Sequence, residues 1–196
     1  MRIVVTETGT ALGHSLVTQL SRSHDIVEFN GDALDPTACA EALANADAVV
    51  DLRPVASVDA APDPGSLGDP QSWKAAGVHI EHLSRGTYVL MRAAVEAGAS
   101  RFILGSTLRH LEGYDPNFSV GESWRPRPDV DDPAGLGAYL AEETARQLAL
   151  VEPLAVLCLR FATISTGQNP VTGDEVHVDD AVQACVHAIE APLAIS

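Results

Sequence analysis

The sequence predicts a single doubly wound α/β domain, a parallel sheet with helices on both faces. Three observations carry this prediction. Short apolar runs typical of buried strands alternate with helical segments of about ten residues or more. A Gly/Thr-rich turn between Glu7 and Gly13 joins the first predicted strand to the first predicted helix. The 196 residues suit one hydrophobic core, and no linker divides 1–196 into two domains.

The apolar pattern places five strands and five helices in alternation. The predicted strands are 2–6, 25–29, 47–52, 101–105 and 154–160. The predicted helices are 12–21, 36–43, 71–98, 135–151 and 179–190. Asp35 before Pro36 is a typical N-cap and first helical residue. Two long loops, 53–70 and 106–133, follow strands at the carboxyl edge of the sheet, where loops usually shape a binding site.

Composition excludes several classes of partner. The net charge of -15 leaves no basic surface for nucleic acid or for an anionic membrane. The three cysteines (Cys39, Cys158 and Cys185) are far apart and typical of free thiols in a reducing compartment. No apolar run approaches membrane length, and no signal-peptide pattern precedes the first strand. We therefore expect a cytoplasmic protein with no metal site and no membrane association.

The turn at Glu7 to Gly13 has the spacing of a dinucleotide fingerprint but altered residues. Strand, glycine turn and helix open the βαβ unit that binds a pyrophosphate at a helix N-terminus. The usual glycines fall at positions 7, 10 and 13, where this chain has Glu7, Thr10 and Gly13, with a displaced Gly9. A carboxylate about 4 Å from a phosphate charge costs about 1 kcal/mol in water and about 4 kcal/mol at an effective dielectric of 20. The turn therefore predicts either phosphate binding or a purely structural junction.

The order of these landmarks resembles the extended short-chain dehydrogenase/reductase superfamily, of the NAD-dependent epimerase/dehydratase type. The matching stretches are RIVVT (2–6), GDALDP (31–36), ADAVVDL (46–52), RGTYVLMRAAVEAGASRFIL (85–104), LCLRF (157–161) and VHVDDAV (176–182). GYDP at 113–116 and RPD at 127–129 are most similar to the uronate dehydrogenase branch. The resemblance implies a Rossmann-type fold, NAD or NADP over the glycine turn, and a sugar-type small molecule as ligand.

The resemblance also implies catalytic residues. The family's acid/base tyrosine corresponds to Tyr139, and its substrate-binding Ser/Thr falls at Ser106 or Thr107, with Thr107 preferred. The lysine that lowers the tyrosine pKa corresponds to Glu143. Because a carboxylate raises the pKa of a nearby phenol, Tyr139 would be a poor base at neutral pH, and Glu143 becomes a candidate base itself.

Further positions correspond to the family's cofactor and substrate contacts. The expected cofactor-binding residues are Thr8, Gly9, Thr10, Leu12, Gly13, Asn30, Asp32 and Arg53. Arg53 replaces a small residue of the family, so it either binds a phosphate or offsets Glu7. Arg160 either presents a bidentate fork to a sugar carboxylate or forms an ion pair with one of the many acids. The stretch 162–175 is short for the family, so we expect a reduced substrate region.

Two functions remain open from the sequence. The first is an atypical oxidoreductase or epimerase that acts on a sugar or sugar-acid with altered site chemistry. The second is a catalytically inactive scaffold, a sensor or a partner subunit, as a homodimer or as a heterodimer with an intact relative. The resemblance implies that the predicted helices 71–98 and 135–151 correspond to those that form the dimer interface in the family. The altered positions affect the cofactor site and the chemistry together, which favours lost or redirected activity.

Overall fold

A computed structural model describes residues 1–56, 70–115, 117–122, 124–167 and 175–193. The strands are β1 Arg2–Thr6, β2 Asp25–Phe29, β3 Ala48–Asp51, β4 Arg101–Thr107, β5 Ala155–Phe161, β6 Thr163–Ser165 and β7 Glu175–His177. The helices are α1 Ala11–Leu20, α2 Pro36–Ala42, α3 Arg53–Ala56, α4 Pro70–Glu96, α5 Pro133–Ala149 and α6 Val178–Glu190, with a 3₁₀ helix at Leu108–Leu111. None of the described helices is long and apolar enough to cross a membrane.

The main sheet has the strand order β2-β1-β3-β4-β5, and all its pairs are parallel. From β1 the chain first moves to one side, to β2, and then crosses to the other side, to β3. The order therefore reverses between β1 and β3, and ligands of doubly wound proteins bind at the carboxyl ends of such strands. A single strand, β2, lies between α1 and α2, as predicted.

Apolar residues cover both faces of the sheet. Along β4, Phe102 and Leu104 point into a core shared with α2, α4 and α5, whereas Ile103 points into a core shared with α1 and α6. This alternation follows from the two-residue period of a strand. The side chains of Phe102, Ile103 and Leu104 are fully buried. The predicted doubly wound α/β domain is confirmed.

Most elements lie within two residues of their predicted bounds, and Asp35 caps α2 by accepting a hydrogen bond from the Thr37 N–H at 2.9 Å. The differences fall in the loops. The predicted 53–70 loop begins with the short helix α3, while 57–69 lie outside the described residues. The 106–133 loop begins with two more residues of β4 and the 3₁₀ helix. Elements of three or four residues, such as β6 and β7, carry too little periodicity to be read from sequence.

Candidate functional site

A cavity of about 650 Å³ opens at the carboxyl ends of β1, β4 and β5. Its volume lies within the range of about 300–1,000 Å³ that small-molecule sites occupy. The first turn of α1, the end of β4, the 3₁₀ helix with its following loop, and the start of β6 all contribute to its wall. The polar residues on this wall are Thr10, Thr107, Arg109, Glu112, Tyr114, Asp115 and Thr163.

The glycine turn brings the start of α1 to this cavity. Thr10 caps the helix: its Oγ1 accepts the Gly13 N–H at 3.1 Å and donates to the Glu7 carbonyl at 2.8 Å. Ala11 and Leu12 begin the helix and line the cavity, and N–H groups in a first turn have no intrahelical partner. Free N–H groups and the helix dipole together favour an anion at this position.

Gly9 and Gly13 serve different purposes. A Cβ atom at Gly13 would lie 2.1 Å from the Glu7 carbonyl oxygen, so the close approach of turn and helix requires glycine there. A Cβ atom at Gly9 would meet no protein atom within 4 Å, which leaves open space above this exposed residue. Gly13 therefore holds the turn together, whereas Gly9 leaves room for a ligand to approach the backbone.

We expect Gly13→Ala and Gly9→Ala to separate these two roles. Gly13→Ala should lower the free energy of unfolding by about 2–3 kcal/mol, because the new methyl group overlaps backbone. Gly9→Ala should leave stability unchanged or about 0.4–1 kcal/mol higher, while dinucleotide affinity falls about tenfold. Urea denaturation and calorimetric titration measure the two quantities. Equal stability losses in both variants would contradict the assignment.

Glu7 has a backbone conformation that favours glycine. Its φ angle is +53°, in the left-handed region where glycine is favoured. The Glu7 side chain is half-buried beside the turn. The turn thus combines a backbone conformation that favours glycine with a negative charge next to the N-terminus of α1.

The other expected cofactor contacts beside the turn are occupied by local hydrogen bonds. The Asn30 side chain accepts the Thr8 N–H at 3.0 Å and donates to Thr8 Oγ1 at 2.7 Å. Asp32 accepts the Leu34 N–H at 2.8 Å. Asn30 and Asp32 are both exposed, whereas Thr8 is buried. Asn30 therefore fixes the turn to the end of β2.

Arg53 lies inside the protein and not on the cavity wall. Its side chain is 3% exposed and its guanidinium donates to both Asp51 carboxylate oxygens, at 2.9 and 2.6 Å. It also donates to the His82 carbonyl at 2.9 Å and to Thr87 Oγ1 at 3.3 Å, both on α4. This arrangement differs from both expected roles, which were phosphate binding and pairing with Glu7. The Arg53 guanidinium is paired instead with the buried carboxylate of Asp51. Arg53 connects β3 to α4.

Thr107 and Ser106 point to opposite faces of β4. Thr107 lines the cavity, is buried, and its Oγ1 accepts the Arg109 N–H at 3.2 Å. Ser106 is not among the described residues on the cavity wall. Its Oγ is buried and without a hydrogen-bond partner among the described residues. Of the two predicted hydroxyls, the structure brings only that of Thr107 to the cavity.

The structure does not bring Tyr139 and Glu143 to the cavity wall. Tyr139 is half-buried on α5. Glu143, one turn later, pairs with Arg146 and lines a shallow groove between α4 and α5 together with Tyr88 and Val151. Neither position that corresponds to the family's tyrosine and lysine lies on the described wall of the cavity, whereas Thr107 does.

Arg160 has an internal carboxylate as its partner. Its Nε and Nη2 donate to Glu142 at distances of 2.7 to 3.2 Å, and the Glu142 side chain is only 8% exposed. The Glu142 hydrogen bond raises the pKa of Arg160. His110 lies beside this pair, with Nε2 3.5 Å from Glu142 Oε1, and burial lowers its pKa. Of the two alternatives for Arg160, the ion pair is the one present.

Of the described cavity wall, sequence reasoning named Thr10, Leu12 and Thr107 and missed the other residues, among them Arg109, Glu112, Tyr114, Asp115 and Phe118. Tyr114 and Trp124 pack edge to face with centroids 4.9 Å apart, and Phe118 lies 6.2 Å from Trp124. One signal was available. The chain has nine aromatic residues by its counts of Phe, Trp and Tyr, and three of them fall within 114–124.

Solved structures that the chain is similar to are proteins of the short-chain dehydrogenase/reductase superfamily. A superfamily protein from Agrobacterium tumefaciens with bound NAD shares 23% identity at a TM-score of 0.68, over 84% of this chain and 50% of that one. The dTDP-glucose 4,6-dehydratase of Streptomyces venezuelae with NAD bound shares 21% sequence identity at a TM-score of 0.76, over 96% of this chain and 72% of that one. The glucuronic acid dehydrogenase of Chromohalobacter salexigens shares 18% sequence identity at a TM-score of 0.76, over 98% of this chain and 73% of that one.

These identities establish the fold, and at that level they confirm the resemblance stated from the sequence motifs. The chain spans half the length of the Agrobacterium protein and just over 70% of the other two. No protein-family model matches the chain, and no curated protein matches it in sequence.

Proposed function

We propose that this chain binds a nicotinamide dinucleotide, NAD or NADP, and a sugar-type small molecule in the cavity, without the tyrosine–lysine proton transfer of the related enzymes. One observation carries the proposal. The first turn of α1 and Thr107 line the same cavity, while Tyr139 and Glu143 are absent from its described wall. This supports a site that binds ligands without the family's arrangement of tyrosine and lysine.

The backbone around α1 fits a dinucleotide, and one side chain opposes it. The first turn of α1, with Ala11 and Leu12 on the cavity wall, suits a pyrophosphate, and Gly9 leaves open space above the turn. Glu7 adds a negative charge beside that position. Asn30 is already bonded to Thr8, and Arg53 to Asp51. We therefore expect measurable dinucleotide binding that is weaker than it would be with glycine at positions 7 and 10.

The end of β4 and the loop after the 3₁₀ helix give the cavity groups that suit a sugar. Thr107, Glu112 and Asp115 offer hydroxyl and carboxylate groups that can hydrogen-bond sugar hydroxyls. Tyr114, Phe118 and Phe161 supply apolar surface on the same wall. Ligand sites generally combine such an apolar lining with a few placed polar groups.

Binding and turnover must be measured separately to test this proposal. We expect saturable binding of NAD or NADP, and no oxidation, reduction or epimerisation across a panel of hexoses and hexuronic acids. The variant Tyr139→Phe should bind the dinucleotide as the parent does. Turnover that Tyr139→Phe abolishes would overturn the proposal in favour of the family's chemistry.

An enzyme with redirected chemistry is the second candidate, and the carboxylates of the cavity wall favour it. Glu112 and Asp115 line the same cavity as Thr107, so either carboxylate is placed to act as a base. Glu143, the base expected from the sequence, lies in the groove on α5 instead. This candidate predicts turnover that survives Tyr139→Phe and is lost in Glu112→Gln or Asp115→Asn.

We also propose that the chain forms a homodimer through the outer faces of α4 and α5. Tyr88 on α4 and Val151 just after α5 are 49% and 76% exposed and line one groove. Trp73 and Val78 are exposed further along α4, each at 57%. The groove that joins Tyr88 of α4 to Val151 is the apolar surface that supports an interface here.

We expect the double substitution Tyr88→Glu, Val151→Glu to convert this dimer to a monomer, because it buries two charges in the interface. Light scattering during size-exclusion chromatography measures the mass. Val130→Glu, at a 75% exposed residue in the loop before α5, serves as the control and should stay dimeric. A parent protein that is already monomeric would refute the dimer.

A further inference from the structure

We propose that His110 is a pH switch, which keeps the 3₁₀ helix of the cavity wall against α5 when it is neutral and releases that helix when it is protonated. The switch acts on the wall itself and needs no bound ligand, so it stands apart from the proposed function. Three observations support it: the position of His110 between the wall and α5, the lack of described hydrogen-bond partners for its buried ring, and the charges of the groups beside it.

His110 belongs to the 3₁₀ helix whose other residues form part of the cavity wall. Leu108, Arg109 and Leu111 line the cavity, whereas His110 is not on its described wall and its side chain is fully buried. The imidazole Nε2 lies 3.5 Å from Glu142 Oε1 on α5. A movement of this imidazole would therefore also move the backbone that carries three cavity-lining residues.

The buried imidazole is held by packing rather than by hydrogen bonds. Neither of its nitrogens has a hydrogen-bond partner among the described residues. The hydroxyl of Ser106 is also buried and without a described partner, and Ser106 is paired in register with Arg160 on the neighbouring strand. Because buried polar groups are normally hydrogen-bonded, such exceptions mark a place where packing and polarity compete. No described side-chain hydrogen bond would have to break for His110 to leave its position.

The charged neighbours of His110 already balance one another. Arg160 donates three hydrogen bonds to Glu142, at 2.7 to 3.2 Å, and the Glu142 side chain is only 8% exposed. With His110 neutral, these three side chains carry no net charge. A proton on His110 would add an uncompensated positive charge to a buried cluster, which is costly. Burial is the largest cause that lowers the pKa of His110; Glu142 opposes this effect and Arg160 adds to it.

A second histidine lies near the same helix and has to be distinguished from His110. Arg109 Nε lies 2.9 Å from Asp132 Oδ2 at the N-terminus of α5, and Asp132 in turn influences His79 on α4. Burial lowers the pKa of His79 as well. Histidine is the side chain whose ordinary pKa places its change of charge between pH 5 and 8, so both residues need a variant. The remaining titratable neighbours of the Glu142–Arg160 pair are Glu122 and Cys158.

Acid favours the state in which the His110 imidazole reaches water. The pKa of the buried ring is lowered from the ordinary value of 6.5, which an exposed ring would recover. The closed position is therefore fully favoured above about pH 6.5 and is progressively disfavoured as the pH falls below that value. At pH 5 an exposed histidine is protonated about 30 to 1, so the population of the open state rises by at most about 30-fold.

Hydrogen exchange followed by mass spectrometry tests the switch on the peptide that spans 107–115, at pH 5 and pH 7.5. The parent and the variant His110→Gln are compared at the same pH, which cancels the intrinsic pH dependence of exchange. We expect the ratio of the exchange rate in the parent to that in His110→Gln to rise about 3- to 30-fold between pH 7.5 and pH 5. His79→Gln is the matched control, and its peptide should exchange as in the parent at both pH values.

Two exchange results would overturn the switch. One is a ratio for His110→Gln that is the same at pH 5 and pH 7.5, and the other is an acid response that is lost in His79→Gln instead. If His110→Gln does not fold, an NMR titration of the parent decides. The His110 imidazole signals should titrate below pH 6.5 together with the amide signals of 108–111, whereas titration at or above pH 6.5 would contradict the proposal.

Discussion

Replacing Glu7 with glycine is expected to tighten NAD binding about 5- to 30-fold. The substitution removes a charge beside the N-terminus of α1, and an exposed like-charge contact costs about 1–2 kcal/mol. It also relieves the left-handed backbone of Glu7, with φ at +53°, which costs a non-glycine residue about 1–2 kcal/mol. Because glycine loses more entropy on folding, the net gain in unfolding free energy should be about 0–1 kcal/mol. Calorimetric titration and urea denaturation measure the two effects.

Two controls separate charge from conformation. Glu7→Gln removes the charge and keeps a non-glycine residue on the left-handed backbone. The affinity for NAD should therefore rise while the free energy of unfolding stays the same. Asn45, at φ +60° in the turn before β3, lies at the opposite edge of the sheet. Asn45→Gly should therefore leave NAD affinity unchanged. An affinity for NAD that is the same in Glu7→Gly, Glu7→Gln and the parent would rule out electrostatic opposition by Glu7.

Truncation of Arg53 to alanine is expected to lower the free energy of unfolding by about 3–5 kcal/mol. The Asp51 side chain is fully buried and Arg53 is 3% exposed, so the variant would leave an unpaired carboxylate in the core. The His82 carbonyl and Thr87 Oγ1 would also lose their donor. The midpoint and slope of urea denaturation measure the loss.

A second arginine gives the matched comparison. Arg85 pairs with Glu81 on α4 at 2.7 Å, but the two side chains are 56% and 49% exposed. Exposed pairs of this kind contribute about 0.3–0.5 kcal/mol, so Arg85→Ala should be nearly neutral. If Arg53→Ala cost no more than Arg85→Ala, the buried pair would not be the connection between β3 and α4 that the structure indicates.

The fold could be predicted from sequence because its signals are local and repeated. Apolar runs, the cap at Asp35 and the alternation of strands with helices each report on a few neighbouring residues. The turn between Glu7 and Gly13 was predictable for the same reason, because the close contact of Gly13 with the Glu7 carbonyl involves residues only six positions apart. The short elements α3, β6 and β7 were missed because three or four residues do not complete a period.

The site was harder to predict because side-chain direction and pairing depend on distant residues. Arg160 is adjacent to cavity-lining Phe161 in sequence, but strand alternation turns it towards Glu142 on α5. Arg53 follows β3 directly, and its partners on α4 are about thirty residues away. Tyr114 and Phe118 line the cavity because they belong to the loop after the 3₁₀ helix. The path of an irregular loop cannot be predicted from hydrophobic periodicity.

The most direct test is calorimetric titration of NAD, and separately of NADP, into the chain of residues 1–196. We expect saturable binding of at least one of the two, at one dinucleotide per chain, and about tenfold weaker binding to the Gly9→Ala variant. The absence of saturable heat at millimolar concentrations of both dinucleotides would contradict the claim that this turn still holds a cofactor.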